Sequence, residues 1–150
     1  MTKFLLAVHV LAAIVAIGPV TVAASMFPPA ARRAIDAPDD VRAAETLQLL
    51  HRICRVYAVV GVAVPVFGFA TASNMHVLGS AWLITSIALT ALAALVLAAL
   101  VLPRQSALLD GGGVTRKATA QLAMFTGMFN LLWATVTVLM IVRPGSTTSA

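Results

Sequence analysis

Apolar residues fill four long stretches of the chain, and charged residues occur almost only between them. With the charges as boundaries, the stretches cover residues 4–27, 53–73, 77–102 and 118–142. At about 1.5 Å of rise per residue, a helix of each length crosses the roughly 30 Å hydrocarbon layer of a bilayer. Inside lipid, only a helix or a closed barrel satisfies its own backbone hydrogen bonds. The pattern therefore predicts an all-α, polytopic membrane protein: one antiparallel bundle of four transmembrane helices, with residues 143–150 as a disordered tail.

Composition strengthens this prediction. The chain has 150 residues, of which 61% are hydrophobic and 10% charged, and its mean hydropathy is +0.99. No soluble domain of this length buries so large an apolar fraction. The net charge of +5 does not indicate nucleic acid as a partner, because the basic residues lie in short segments between the apolar stretches. The lipid bilayer is the predicted surrounding.

The first stretch also has features of a secretory signal, since Lys3 precedes an apolar run that ends in small residues. The run is longer than a usual signal core, and Gly18-Pro19 interrupts it where such a core is continuous. We therefore favour an uncleaved helix. Consecutive prolines cannot donate backbone hydrogen bonds, so Pro28-Pro29 predicts its end.

The segments around the second stretch carry recognisable helix signals. Pro38-Asp39-Asp40 predicts the start of a short interfacial helix, capped by Asp39 or Asp40, that leads into the second span. Pro65 predicts a kink within that span. Residues 74–76 are the whole predicted connection to the third span, which favours a tight antiparallel hairpin. In the third span, Ala94 and Ala98 have the spacing of a helix-packing surface.

Basic residues predict the orientation of the bundle. Eight of them flank the first and third connections: Arg32, Arg33, Arg42, Arg52, Arg55, Arg104, Arg116 and Lys117. The opposite side has Lys3, Arg143 and an uncharged turn. The positive-inside rule then places both long connections in the cytoplasm and both termini outside the cytoplasmic membrane.

The glycines at 111–113 lack the strand and lysine of a phosphate-binding loop, so a plain linker is the preferred interpretation.

Histidines are the first candidates for chemistry. An ionisable side chain inside a span, such as His9, is by default a functional hypothesis, although a neutral imidazole also forms structural bonds to a hydroxyl or carbonyl of a neighbouring helix. His76, Met75 and Met140 fall near the same membrane face in the predicted topology. Imidazole and thioether groups bind haem iron and copper. Haem or copper at His9 with His76 is therefore one hypothesis, and a chain without a cofactor is the favoured one.

Two further groups of polar residues are candidates for binding. His51, Arg52 and Arg55 lie at the predicted cytoplasmic end of the second span, where anionic lipid head groups, a phosphate, a haem propionate or a partner carboxylate would meet them. Thr126 and Asn130 lie one turn apart in the fourth span. Interhelical hydrogen bonding is their favoured use, and a polar path through the membrane is the alternative. The spans contain no Asp or Glu, which argues against a carboxylate proton relay.

The stretches KFLLAVHVLAAIVAIGPVTVAASMFP and LHRICRVYAVVGVAVPVFG together resemble an uncharacterised family of predicted bacterial integral membrane proteins, often actinobacterial. That family is loosely similar to copper-resistance-D-like membrane proteins and to small protoporphyrinogen oxidases of the haem pathway. These proteins also begin with a helix that carries an early histidine, so the resemblance implies that His9 occupies the matching position.

Three functions follow as expectations. The favoured one is a non-enzymatic membrane protein that acts by self-association or as an accessory subunit of a larger membrane complex. It follows from an interior of small residues and hydroxyls without a catalytic constellation. The alternatives are a haem- or copper-binding redox or metal-handling protein, and a small oligomeric channel or carrier.

Overall fold

The computed structural model describes residues 2–110 and 115–144. Six α-helices make up almost all of this part, and it contains no strand. The helices are α1 Thr2–Asp36, α2 Val41–Val60, α3 Ala63–Asn74, α4 Ala81–Leu95, α5 Leu102–Leu109 and α6 Arg116–Val142. A π-helical segment, Val96–Val101, continues α4 into α5. The predicted glycine linker at 111–113 and the predicted tail from residue 145 onward lie outside the described residues.

Four stretches of helix are long and apolar enough to cross a membrane: Thr2–Asp36, Val41–Asn74, Ala81–Leu109 and Arg116–Val142. The first stretch is α1 and the fourth is α6. The second consists of α2 and α3, and the third consists of α4, the π-helical segment and α5. The all-α bundle of four candidate spans is thereby confirmed. The chain is a multi-pass membrane protein by the length and composition of its helices.

The first helix does not end at Pro28-Pro29, so that prediction is wrong: α1 continues to Asp36. A proline in a helix removes its own bond to the carbonyl four residues earlier, and its ring crowds that carbonyl. Packing on both sides of the prolines offsets this loss, since Phe27 and Ala31 are fully buried. The helix therefore extends two turns past the predicted end.

The segment from α2 to α3 differs from its prediction in a related way. Asp40 caps α2 as predicted, accepting from the Arg42 N–H at 3.0 Å, but α2 runs without a break into the second span. The helix is interrupted at Gly61 rather than at Pro65. Because Pro65 has no N–H for the Gly61 carbonyl, that oxygen accepts instead from the Val64 N–H at 3.1 Å. The interruption of the helix therefore lies one turn before the proline that causes it.

The second and third spans do not form the predicted tight hairpin. α1 packs against α2, α3 and α6, whereas α4 packs on α6, and α3 and α4 scarcely touch. Their connection is residues 75–80, and α3 ends in a Schellman motif: the Val77 and His76 N–H groups donate to the carbonyls of Ala72 and Ser73, each at 3.2 Å. His76 holds the left-handed position of this motif, with φ 57. The turn directs α4 away from α3.

The two ends of the bundle differ in burial. We call residues 16–60, 96–109 and 116–130 the closed half, and residues 2–15, 61–95 and 131–142 the open half. The closed half holds almost the entire apolar core. In the open half, no residue of 2–15 or of 131–142 is buried. The first half is therefore held together by packing, and the second largely presents apolar side chains to its surroundings.

Candidate functional site

A buried set of polar side chains, here the His51 cluster, joins α2 to α5. The His51 Nδ1–H donates to Gln105 Oε1 at 2.9 Å, and the Ser106 hydroxyl donates to His51 Nε2 at 3.2 Å. The second polar atom of the amide, Gln105 Nε2, donates to Cys54 Sγ at 3.7 Å. Gln105 and Cys54 are fully buried, and His51 is 7% exposed. Both ring nitrogens have partners, so the cluster ties two helices together.

Sequence reasoning placed His51 beside Arg52 and Arg55 as a contact for an anion or for lipid. The structure separates them, because His51 faces the core while both arginines are exposed. An anion or lipid contact of the two arginines stays a prediction. Gln105 was missed because the third span was ended at Leu102; the available signal was Pro103, a residue that favours the first turn of a helix.

His9 joins α1 to α3 in the open half. Its Nδ1–H donates to the Val64 carbonyl at 2.9 Å. The ring lies against Gly68, where an added Cβ would stand 2.8 Å from His9 Cε1. The missing side chain of this glycine is therefore what allows the imidazole to approach α3 so closely. A bond to a carbonyl of a neighbouring helix is one of the two uses predicted for this histidine.

The two histidines of the haem or copper hypothesis lie at different places in the open half. His76 is exposed and lies eight positions beyond Gly68, which is about 12 Å by helical rise. Across residues 2–110 and 115–144, no group of three or more His, Cys, Asp or Glu side chains could hold a metal ion. The structure does not bring His9 and His76 together, and the cofactor assignment stays a prediction.

A cleft of about 250 Å³ separates α1 from α6 within the closed half. Four residues of each helix line it: Ser25, Pro28, Pro29 and Arg32, with Ala123, Thr126, Gly127 and Asn130. We call it the proline cleft. Asn130 Nδ2 donates to Ser25 Oγ at 3.1 Å across it. The structure thus brings Thr126 and Asn130 to one site, as their spacing of one turn predicts.

Buried polar side-chain atoms without a partner concentrate along this interface. In the part of the chain that the structure describes, there are four such atoms: Thr21 Oγ1, Thr126 Oγ1, Asn130 Oδ1 and Trp133 Nε1. Positions 126, 130 and 133 form one stripe of α6, and Thr21 lies one turn before Ser25 on α1. Pro28 and Pro29 add to this polarity, because they cannot donate to the two carbonyls four residues earlier. The cleft therefore offers hydrogen bonds that the chain itself does not use.

A different feature lies on the outer surface of the third span. Small residues there lie on one face that points away from the rest of the bundle: Ala91, Ala94 and Ala98, at i, i+3 and i+7 spacing, next to the exposed side chain of Ile87. The opposite face of the span carries the buried residues Leu83, Ser86 and Val96. We call the outward set the alanine stripe. The predicted packing surface at Ala94 and Ala98 is thus not used within the chain.

Comparisons of the chain with known protein families, with curated proteins and with solved structures find no match. The resemblance drawn from the opening histidine helix stays a prediction. Function is therefore argued from the geometry of the sites alone.

Proposed function

We propose that this protein is a non-enzymatic membrane protein that acts by associating with a second copy of itself in the bilayer. The observation that carries the proposal is the alanine stripe, three small residues on one face of α4 and the π-helical segment that are exposed in the part of the chain that the structure describes. Small residues allow two helix backbones to approach closely, which is how membrane helices gain van der Waals contact.

The chain uses the same device internally. Where α1 meets its neighbours, the buried positions include Ala23, Ala24 and Ala30. Lipid tails are as apolar as leucine, so helices in a membrane associate through close packing rather than through a hydrophobic driving force. The alanine stripe presents the same kind of small residue on the outside of the bundle, which supports helix association there.

The occupant we propose is the same stripe of a second copy. Two copies in one membrane share one orientation, so a closed dimer has its twofold axis along the membrane normal. The third spans then run parallel, and Ala94 of one copy lies near Ala94 of the other. The ionisable side chains inside the bundle support a structural role, since His9 and His51 are already bonded to neighbouring helices.

Disulfide cross-linking in native membranes tests the dimer. In a Cys54→Ser background, which keeps an acceptor for Gln105, we expect Ala94→Cys to give a covalent dimer on mild oxidation. The matched control is Leu131→Cys, because Leu131 is 71% exposed on α6, away from the stripe. Equal cross-linking at both positions would show random collision and contradict the proposal.

A packing variant tests the same interface without a new thiol. Ala94→Leu together with Ala98→Leu fills the stripe and should shift the protein toward monomer, while Leu131→Ala should leave the dimer intact. A wild-type protein that runs as a lone monomer in native membranes, with nothing co-purifying at stoichiometry, would overturn both the dimer and the accessory-subunit alternative.

A further inference from the structure

The proline cleft has a cation at one end. Arg32 follows Pro29 by three positions, so both lie on the same face of α1. Among the described residues, the nearby carboxylate of Asp36 is engaged by Arg116 at 3.0 Å, and no salt bridge includes Arg32. A guanidinium group suits phosphate because it presents several N–H donors in a planar fork. The mouth of the cleft is therefore suited to an anion.

The deeper part of the cleft offers groups that favour hydroxyls. Thr126 is 3% exposed and its hydroxyl has no partner, and Asn130 Oδ1 is also buried and unpaired. The carbonyl of Ser25, which also lines the cleft, lacks its usual helical donor because Pro29 has no N–H. Leaving such groups unpaired away from water is unfavourable. A ligand hydroxyl satisfies both kinds of group, since it donates one hydrogen bond and accepts others.

Size and access agree with a small ligand. A volume of about 250 Å³ equals that of roughly eight waters in the liquid, which is more than a single bridging water needs. Ser25, Pro29 and Arg32 are exposed, so the cleft is open along this side of α1. A polar group can enter it without unfolding the interface between α1 and α6.

We infer that the proline cleft binds a phosphate that carries a polyol, the chemistry of a glycerol phosphate group. The phosphate lies at Arg32, and the polyol hydroxyls lie at Thr126 and Asn130. Free glycerol 3-phosphate in solution presents this chemistry in the required order. The head group of phosphatidylglycerol carries the same groups, but in a bilayer its glycerol lies on the water side of its phosphate, whereas Thr126 and Asn130 lie on the membrane side of Arg32. The site is independent of the alanine stripe, which lies on the outer face of the third span.

The soluble source is tested by equilibrium dialysis of the protein, reconstituted in phosphatidylcholine vesicles, with glycerol 3-phosphate. We expect saturable binding of one molecule per chain. The lipid source is tested in phosphatidylcholine vesicles with and without phosphatidylglycerol, where mass spectrometry of the intact protein counts the lipids that stay bound. We expect phosphatidylglycerol to be retained no more strongly than phosphatidylcholine.

Matched variants locate the site. Arg32→Gln should weaken binding about fivefold, the effect of one basic side chain near a phosphate, while Arg33→Gln, at the next position and outside the cleft, should not. Thr126→Val keeps the side-chain shape and should weaken binding about threefold, as expected for one hydrogen bond in a membrane protein. Thr135→Val is its control, because the Thr135 hydroxyl is exposed and bonded to its own helix.

Three results would overturn the inference. Equal losses of binding in the Arg32 and Arg33 variants would show that binding depends only on general surface charge. Retention of phosphatidylglycerol at this site without binding of glycerol 3-phosphate would contradict the assigned order of phosphate and hydroxyls. Absence of saturable binding of glycerol 3-phosphate would leave the cleft without this ligand class. Thr126→Val supplies the test if Arg32→Gln does not fold.

Discussion

The closed and open halves are built from the same four spans but are held together by different interactions. In the closed half, large side chains such as Phe27, Leu122 and Val101 are buried, and the His51 cluster closes the contact of α2 with α5. In the open half, α3 rests on α1 alone, and α4 rests on α6. The helices thus share one core in the closed half, and the open half contributes almost nothing to that core.

This difference shows what a polar side chain contributes in each setting. The bonds of Gln105 are surrounded by packed side chains, so water has no access to replace them. The bond of His9 to Val64 lies in a half without a shared core, and it depends on the missing side chain of Gly68. We therefore expect substitutions to be costly in the closed half and modest in the open half.

The largest effect should come from Gln105→Leu. The change leaves the His51 Nδ1–H without its acceptor in a buried site, which costs on the order of 2 kcal/mol. The free energy of unfolding in mild detergent measures it. The control is Gln121→Leu, since Gln121 is exposed and accepts one long bond of 3.3 Å from Arg104. Equal effects in the two variants would mean that the closed half is not held by the His51 cluster.

A smaller loss in the free energy of unfolding should come from Gly68→Ala, and this loss should become a gain when His9 is replaced. The new methyl group displaces the His9 ring and weakens its bond to Val64, which outweighs the better helix propensity of alanine, worth up to about 1 kcal/mol. In a His9→Ala background the same change should stabilise instead. A double-mutant cycle on the free energy of unfolding measures the coupling. Gly127→Ala is the control and should only stabilise, because its Cβ would meet nothing within 4 Å and no proline directly follows it.

A still smaller gain should come from His76→Gly. His76 has φ 57, and a residue with a Cβ pays about 1 kcal/mol for this left-handed conformation, whereas glycine does not. Part of the gain is lost because glycine also makes the unfolded chain more flexible. Thermal melting should rise slightly for His76→Gly and not for His76→Ala. A large loss in both variants would indicate that the imidazole itself has a role at this end of the bundle.

The smallest effect should come from Arg116→Gln, although it removes a long-range ion pair of the closed half. The two side chains, Arg116 and Asp36, are 72% and 61% exposed, and an exposed pair contributes at most about 1 kcal/mol. We expect a change near the limit of detection in the melting temperature, reduced further by salt. A loss comparable to that of Gln105→Leu would show that surface charge, rather than the core, stabilises this half.

The fold class and the number of spans are determined by the sequence alone. Charges interrupt the apolar pattern at the right places, and a continuous apolar stretch of more than about 20 residues is long enough to cross lipid as a helix. Local signals were also readable where their partners are close in the chain, as for Asp40 at the start of α2 and the one-turn spacing of Thr126 and Asn130. These features depend on neighbours within a few residues, which a sequence displays directly.

The tertiary structure alone decided which polar groups meet. Gln105 lies 54 positions from His51, and Asn130 lies 105 positions from Ser25, so no local pattern connects them. The continuation of α1 through Pro28-Pro29 was likewise decided by packing, because burial on both sides offsets the lost backbone bonds. Residue type indicates that a proline weakens a helix or that a histidine needs a partner. Only the arrangement of the other helices determines whether the helix continues and where the partner comes from.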